Sequence, residues 1–510
     1  MPASPQPTLD LSDQPLSDPD VVDRVGADLR AAGFDSDGVP ELLGAGAHAA
    51  LGRGEPFPAL RATRDGSPLA TAVRLFLLGT TEPESAVRAT LPSADLAALV
   101  AQGVLEPDAD GFRAGLDIRP HADEDAEFLV VSDLDSDTRP GPVRREHVLG
   151  IGSASVSLAR AVIRRPVGRA LDLGTGCGIQ ALHTASHAGS ITATDVSRRA
   201  LALAGATARI NGQHWDLRLG SLFEPVAGER FDLIVSNPPF VVGDGRQDYV
   251  YRDSGVAGDG LGATLVGAMA DHLNPGGTAQ LLANWIVRDD GDWRERVGDW
   301  VTGSGLDAWV VQRELADPAE YVSLWLKDAG ERGGQAETVA TAWLDWFAAE
   351  RVTGIGMGLI TLQRNDSASP LVTLDEITGA GEAVTGPEAE AFLARRRWLD
   401  RAGDADLLGT TFSVSPGTML EHRSIPGNAG WQPVLRLLRR PGGPGATLQV
   451  DEWGEALLGG CTGTVPLALQ LQVLAAAHGL DVAALAEAVL PAVRVGVLRG
   501  LLHPVAAVPA

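Results

Sequence analysis

Between residues 150 and 365, short apolar runs of β type alternate with stretches whose apolar residues recur at helical spacing. The runs are Ala170–Leu173, Ile191–Asp195, Asp216–Leu219, Phe231–Ser236, Thr278–Ala283, Ala308–Gln312 and Ile355–Leu362. Apolar strands separated by helices predict an α/β fold with a mostly parallel sheet covered on both faces. In such a fold a ligand binds beyond the carboxyl ends of the strands, where strand order reverses. Upstream, from Val21 to about Pro120, short helical patterns are punctuated by Gly and Pro. Leu91 to Val100 has helical spacing, with Ser93 as N-cap and Gly103 as its end, and Phe112 to Ile118 reads as a strand. Helix, helix and β-wing is a winged-helix-like order, although a generic small α+β accessory domain fits equally. After Asn365 the composition shifts to Gly, Pro, Ala and Arg; Arg440-Pro-Gly-Gly-Pro-Gly marks a loop, and Val465 to Pro504 reads as a run of amphipathic helices. The expected organisation is a flexible tail (1–20), an N-terminal accessory domain (21–140), a central α/β domain (141–365) and a C-terminal accessory domain (366–510).

Composition narrows this picture. With 510 residues, at about 150 per domain, three domains are expected. Apolar residues at 45% and charged residues at 21% supply enough core to exclude wholesale disorder. A formal charge of −25 opposes nucleic acid and anionic membrane unless a local basic patch intervenes. The local clusters are Arg144-Arg145, Arg164-Arg165 with Arg169, Arg395–Arg397 and Arg439-Arg440, each read first as a solvated face. The acids around Phe128-Leu-Val-Val (Asp123, Glu124, Asp125, Glu127, Asp133, Asp135, Asp137) read as a solvated strand edge. Two cysteines, Cys177 and Cys461, make no disulfide framework and no cysteine-rich zinc site, so no metal is expected. Met1 to Asp20 has neither a basic n-region nor an apolar h-region. No uncharged apolar run nears the roughly 18 residues of a membrane span. A soluble, cytoplasmic protein is the expectation.

Chemistry concentrates in two places. Leu171-Asp-Leu-Gly-Thr-Gly-Cys-Gly-Ile-Gln180 runs a strand into a turn carrying Gly174, Gly176 and Gly178, with a helix after it. Such glycines permit positive φ and let a ligand lie on bare backbone. Asp172, at the strand end, disfavours a phosphate and favours a cationic ligand. Asp195 ends the next strand, where an acid accepts from ribose hydroxyls. Cys177 reads as a small residue filling a tight loop rather than a nucleophile, with no basic neighbour to lower its pKa. Further on, Phe231-Asp-Leu-Ile-Val-Ser-Asn-Pro-Pro-Phe240 is a strand stopped by two prolines. Pro238 and Pro239 fix φ and remove donors, leaving rigid carbonyl acceptors beside the Asn237 side-chain oxygen. Converging acceptors suit a substrate nitrogen with two N–H donors, aiming its lone pair at an electrophile.

Together Asp172–Gly178, Thr194-Asp195 and Ser236-Asn-Pro-Pro-Phe240 resemble a class I S-adenosylmethionine-dependent methyltransferase, over about residues 145–365. The resemblance implies a Rossmann-like seven-stranded sheet and S-adenosylmethionine as cofactor. Asp172, Gly174, Thr175, Gly176 and Gly178 would surround its methionine part, Asp195 its ribose, and Ser221 and Leu222 its adenine; related sequences often carry Asp where Ser221 stands. Asn237, Pro238, Pro239 and Phe240 would form the catalytic motif of N-methyltransferases acting on planar NH₂ groups, with Phe240 stacked on the substrate. Asp253, Gly255 and Gly258 match a segment of the HemK-type glutamine methyltransferases, from which Ser254 and Ala257 depart. Phe240 is commoner in the ribosomal-RNA guanine-N2 type. Net charge tips the expectation toward a protein glutamine of the translation machinery. The alternatives are an exocyclic amine in ribosomal RNA (guanine N2 or adenine N6) and a non-catalytic cofactor-sensing regulator, against which the intact Asn237–Phe240 motif argues. Between Arg313 and Gly354, Tyr321, Trp325, Trp343 and Trp346 are expected on two helices packed against the sheet, a substrate-stacking lid being the alternative.

Overall fold

The computed structural model describes residues 9–123, 126–135, 138–139, 143–289, 291–331, 333–365, 369–377, 383–428 and 430–505. The chain forms two compact units: the first comprises 1–159, 164–306 and 314–368, the second 160–163, 307–313 and 369–510.

All seven expected runs are strands: β1 (Val167–Leu173), β2 (Ala188–Asp195), β3 (Asp216–Leu219), β4 (Phe231–Ser236), β5 (Leu273–Arg288), β6 (Asp307–Ala316) and β7 (Val352–Gln363). In the first unit six of them are ordered β7-β5-β4-β1-β2-β3. Pairing is parallel from β5 through β3, and β7 is antiparallel to β5. The chain therefore builds outward from β1 in one direction, then restarts at β4 on its other side. That reversal is the doubly wound arrangement, and it opens a crevice at the carboxyl ends of β1 and β4. The inner strands are buried on both faces, as their unbroken apolar runs require: Ala170, Leu171 and Leu173 in β1, and Leu233, Ile234 and Val235 in β4, are all at most 3% exposed. Ser236 Oγ donates to the Leu173 carbonyl at 2.7 Å, stitching the two strands at the crevice.

The N-terminal part of the first unit is helical. Its last helices, Glu84–Thr90 and Leu96–Ala101, are followed by the antiparallel hairpin Leu105–Asp108/Gly111–Ala114, to which Glu82 adds a bridge at Phe112. This is the helix, helix, wing order expected. Two details differ. Asp95, not Ser93, caps the Leu96 helix, its carboxylate accepting from the Ala97 and Ala98 amides; the Ser93 amide instead donates to Asp28. The strand expected from Phe112 to Ile118 is broken at Gly115, where a Cβ would fall 2.4 Å from the Gly103 carbonyl, so its two halves join different hairpins. The described part of the expected tail, residues 9–20, is docked rather than free. Residues 1–8 lie outside the described residues, but Leu16 is buried and bonded to Gln102, and Asp18 caps a helix beginning at Pro19.

The acidic stretch is not a solvated edge. Asp133 is 4% exposed and pairs with Arg199, and Asp123 pairs with Arg164. Between them, strand Glu127–Ser132 lies along helix Arg198–Ile210, with the Leu129 and Val131 amides donating to Asn211 and Thr207. Glu124, Asp125 and Asp137 lie outside the described residues. The Arg313–Gly354 connection is two helices, Pro318–Asp328 and Gly333–Ala349. Tyr321, Trp343 and Phe347 are buried against Ile355 of β7, so the helices cover the sheet.

In the second unit, β6 pairs in parallel with β8 (Val372–Glu376), and Trp309 of β6 stacks on Phe392 at 4.0 Å. The expected helical run from Val465 is bounded by strands: helices Leu467–His478 and Val482–Leu498 are followed by Leu502–Val505, which pairs with Thr411–Val414. Among the described residues no helix is long and apolar enough to cross a membrane.

Candidate active site

A cavity of about 350 Å³ opens in the first unit, at the carboxyl ends of β1, β2 and β4. Its size suits a small ligand. Gly174, Thr175 and Gly176 form one wall, Asp195 and Ser197 a second, Ser221 and Leu222 a third, and Asn237, Pro238 and Pro239 a fourth. Residues from four separate stretches of sequence thus meet around one space.

The glycine turn is built for close approach. Gly174, Gly176 and Gly178 have φ of 77°, 55° and 85°, and a Cβ at Gly174 or Gly176 would meet nothing within 4 Å. At Gly178 it would lie 2.5 Å from the Trp215 ring, so that glycine serves packing. Cys177 is 2% exposed and burial pushes its thiol up to about 12, as befits a filler rather than a nucleophile.

Asp172 does not line the cavity. Its Oδ2 accepts from Thr175 Oγ1 at 2.7 Å and from the Ala181 amide at 3.0 Å, tying the turn to the helix that follows. Its Oδ2 thus positions the turn, while its Oδ1 is buried without a partner. Burial pushes this carboxyl up to about 7, against the lowering by its two donors. The unfolded chain ionises Asp172 from about pH 4 upward, while the folded protein keeps it protonated. The unfolded state then holds fewer protons, so this group makes stability fall as pH rises from about 4 to 7, by at most about 1.4 kcal/mol per pH unit. Asp172→Asn keeps an acceptor and removes the titration. Melting temperatures at pH 5 and pH 8 are expected to differ less in Asp172→Asn than in wild type; an equal difference would show that Asp172 does not titrate in this window.

Asp195 faces the cavity with its geometry already set. Its Oδ2 accepts from the Gly176 amide at 3.0 Å and its Oδ1 from the Ser197 amide at 2.9 Å. Burial raises its pKa, opposed by these amides. Leu222 holds a left-handed backbone at φ 48°, a strained conformation for a residue with a Cβ.

The Asn-Pro-Pro motif carries the sharpest signal. Asn237 Nδ2 donates to Ser155 Oγ at 3.2 Å, while Asn237 Oδ1 is buried without a partner. An unpaired buried acceptor costs free energy unless a ligand satisfies it. Two residues not singled out from the sequence support it. Ser155 lies in the first turn of helix Ser153–Ala161 and lines the cavity, and Gln180 Nε2 donates to the Ser155 carbonyl at 2.8 Å, leaving Gln180 Oε1 also buried and unpaired. Gln180 ends the glycine motif, so its position was visible; Ser155 carries no motif signal. Phe240 does not line this cavity. Its ring meets Trp325 edge-on at 6.1 Å, and it borders a smaller recess shared with Pro238 and Pro239, which leaves the stacking role expected for it without support from its position.

The segment after the motif is held from below. Arg252, 2% exposed, pairs with Asp253 and lies over the Tyr249 ring at 4.5 Å, while Tyr251 lines the cavity and donates to Asp328 at 2.8 Å. Asp253 accepts from the Asp248 and Tyr249 amides, so it organises this loop.

Residues 149–288 match the family model of the methyltransferase small domain. This segment is a methyltransferase small domain. Residues 31–115 and 390–504 match two further families, each described as a domain of unknown function. The chain is 34% identical over 149 residues to the ribosomal RNA small subunit methyltransferase C of Salmonella arizonae, covering 29% of this chain and 39% of that protein. It is 33% identical over 177 residues to the Klebsiella pneumoniae protein of the same name, covering 34% and 47%. The chain thus spans under half the length of these curated relatives. Among solved structures, a 16S rRNA N2 methyltransferase of T. thermophilus with AdoMet and guanosine aligns at 15% identity and a TM-score of 0.29, covering 60% of this chain and 71% of that one. The cavity of the methyltransferase small domain fits S-adenosylmethionine: a carboxylate for the ribose, bare glycine backbone, and buried acceptors for N–H donors.

Proposed function

We propose that this protein is an S-adenosylmethionine-dependent N-methyltransferase acting on an exocyclic amine of a base in ribosomal RNA, guanine N2 foremost. The observation that carries the reading is the buried, unpartnered Asn237 Oδ1 at the cavity wall. Bound there, S-adenosylmethionine supplies a methyl on a positively charged sulfur that leaves as a neutral thioether, so no strong base is needed. Asp195 and the glycine turn hold the cofactor, and Ser155 orients the Asn237 amide so that its oxygen accepts from the substrate NH₂. Pro238 and Pro239 keep the neighbouring backbone free of competing donors. The buried side chains of Leu261 and Leu265 give the cavity an apolar wall. The relatives reported above are named for ribosomal RNA, which moves the reading away from the protein glutamine that net charge had favoured. Incubation of the protein and labelled cofactor with unmodified small-subunit RNA, then digestion to nucleosides, is expected to yield labelled N2-methylguanosine. Label that resists nuclease and is released by protease would overturn the RNA reading.

A further inference from the structure

We infer that Arg144 and Arg145 form a phosphate anchor at the rim of the methyl-transfer cavity, gripping the RNA strand that presents the target base; this rests on the RNA reading above. Four arginine clusters stand out in a chain of net charge −25, and the structure sorts them. Arg164 and Arg169 end on Asp123 and Glu229, and Arg165 donates to the Gly276 carbonyl. Within the second unit, Arg395 and Arg440 share Glu388, Arg397 pairs with Asp307, and Arg439 with Glu421. Arg396 is half-buried. Apart from Arg396, those guanidiniums serve the fold. Arg144 and Arg145 are exposed, and neither has an ion pair among the described residues.

Their place gives that exposure meaning. The residues immediately following, Glu146 to Gly150, line the cavity. The Arg145 carbonyl accepts from the Val250 amide at 3.0 Å, and Val250 and Tyr251 line the same cavity from the loop after the Asn-Pro-Pro motif. The two guanidiniums are thus carried on a segment clasped to the rim. Glu146 is exposed there too and makes no ion pair with either arginine. Guanidinium matches phosphate with paired N–H donors and binds it more strongly than a neutral donor. A base that enters the cavity always brings a phosphate on each side, whereas a peptide amide brings no obligatory anion. In a strongly acidic chain, two unpaired arginines at the opening supply the local reversal of sign that RNA needs.

Filter binding of a small-subunit RNA fragment across 50–200 mM salt tests this, with cofactor titration on each sample as the check of folding. Arg144→Ala/Arg145→Ala is expected to weaken RNA binding about tenfold at low salt and to flatten the log–log salt slope by about 1.4–1.8, as for two lost phosphate contacts. Arg144→Lys/Arg145→Lys is expected to keep the wild-type slope. Should the alanine pair lose cofactor binding, Arg144→Gln/Arg145→Gln carries the same comparison. A wild-type slope in the neutral variant, with RNA still methylated, overturns the anchor and leaves the RNA reading standing. A wild-type protein that neither binds nor methylates RNA, but labels a protein, overturns both.

Discussion

Asn237→Ala is expected to lower the rate of methyl transfer by about 10²–10³ while cofactor affinity stays near wild type. The separation follows from the proposed roles: the cofactor is assigned to the glycine turn and Asp195, whereas the buried Asn237 oxygen has no protein donor. Removing it deletes the acceptor that the proposed mechanism assigns to the substrate. Ser155→Ala is the graded companion. It removes the oxygen that takes the Asn237 N–H but keeps the carbonyl that takes Gln180, so the amide loses orientation while the glycine helix keeps its support. The expected cost is about 1 kcal/mol, or roughly fivefold in rate. Asn237→Asp keeps an acceptor but adds charge and loses the donor to Ser155, and partial activity is expected. A purely structural turn predicts the opposite pattern, with Asn237→Ala melting earlier and reacting at full rate. Single-turnover transfer and thermal denaturation on the same samples decide between them; a full-rate, heat-sensitive Asn237→Ala would remove Asn237 from catalysis.

Asp195→Ala is expected to weaken S-adenosylmethionine binding by about 1.5–3 kcal/mol, the range of a charge-assisted hydrogen bond. Two costs combine. The ribose acceptor disappears, and the Gly176 and Ser197 amides lose the carboxylate that holds the turn in shape. Asp195→Asn retains one carbonyl acceptor and is expected to fall between wild type and alanine. Because burial raises the Asp195 pKa, protonation begins at a higher pH than for a free carboxylate, and cofactor affinity is lost as pH falls through that value. Titration calorimetry on the folded variants measures all of this. Wild-type affinity in Asp195→Ala would take the residue out of the site.

Period and residue type carried the inner strands, because a strand buried on both faces must read as an unbroken apolar run, and β4 has the bounds that pattern predicts; β3, an edge strand with no buried residue, also has its expected bounds. The cofactor turn was legible for a similar reason, since positive φ leaves few choices but glycine. Partnership was not legible. Ser93 and Asp95 are both competent caps, and only the fold brings Asp28 to the Ser93 amide. Asp172 reads in sequence as a ligand-facing acid, and only the fold shows its Oδ2 taken by Thr175 and the Ala181 amide. The arginine clusters looked alike in sequence, yet most are answered by acids distant along the chain. Phe240 sits in the right motif, and Trp325, from a helix 85 residues on, occupies its edge.

The way the chain is shared between its two units has a practical consequence. Residues 160–163 and 307–313 belong to the second unit although both of their neighbouring segments belong to the first. No single peptide bond separates the units, so a proteolytic nick near residue 368 leaves 369–510 without residues 160–163 and 307–313 of its own unit, which stay on the other fragment. Each such segment is tethered at both ends and cannot leave without disturbing the chain on either side. Loss of the C-terminal unit would then be felt at β6, in the middle of the methyltransferase sequence pattern. The accessory region is in this sense threaded into the catalytic chain rather than appended to it, and fragments trimmed to the boundaries of sequence families would cut through shared structure.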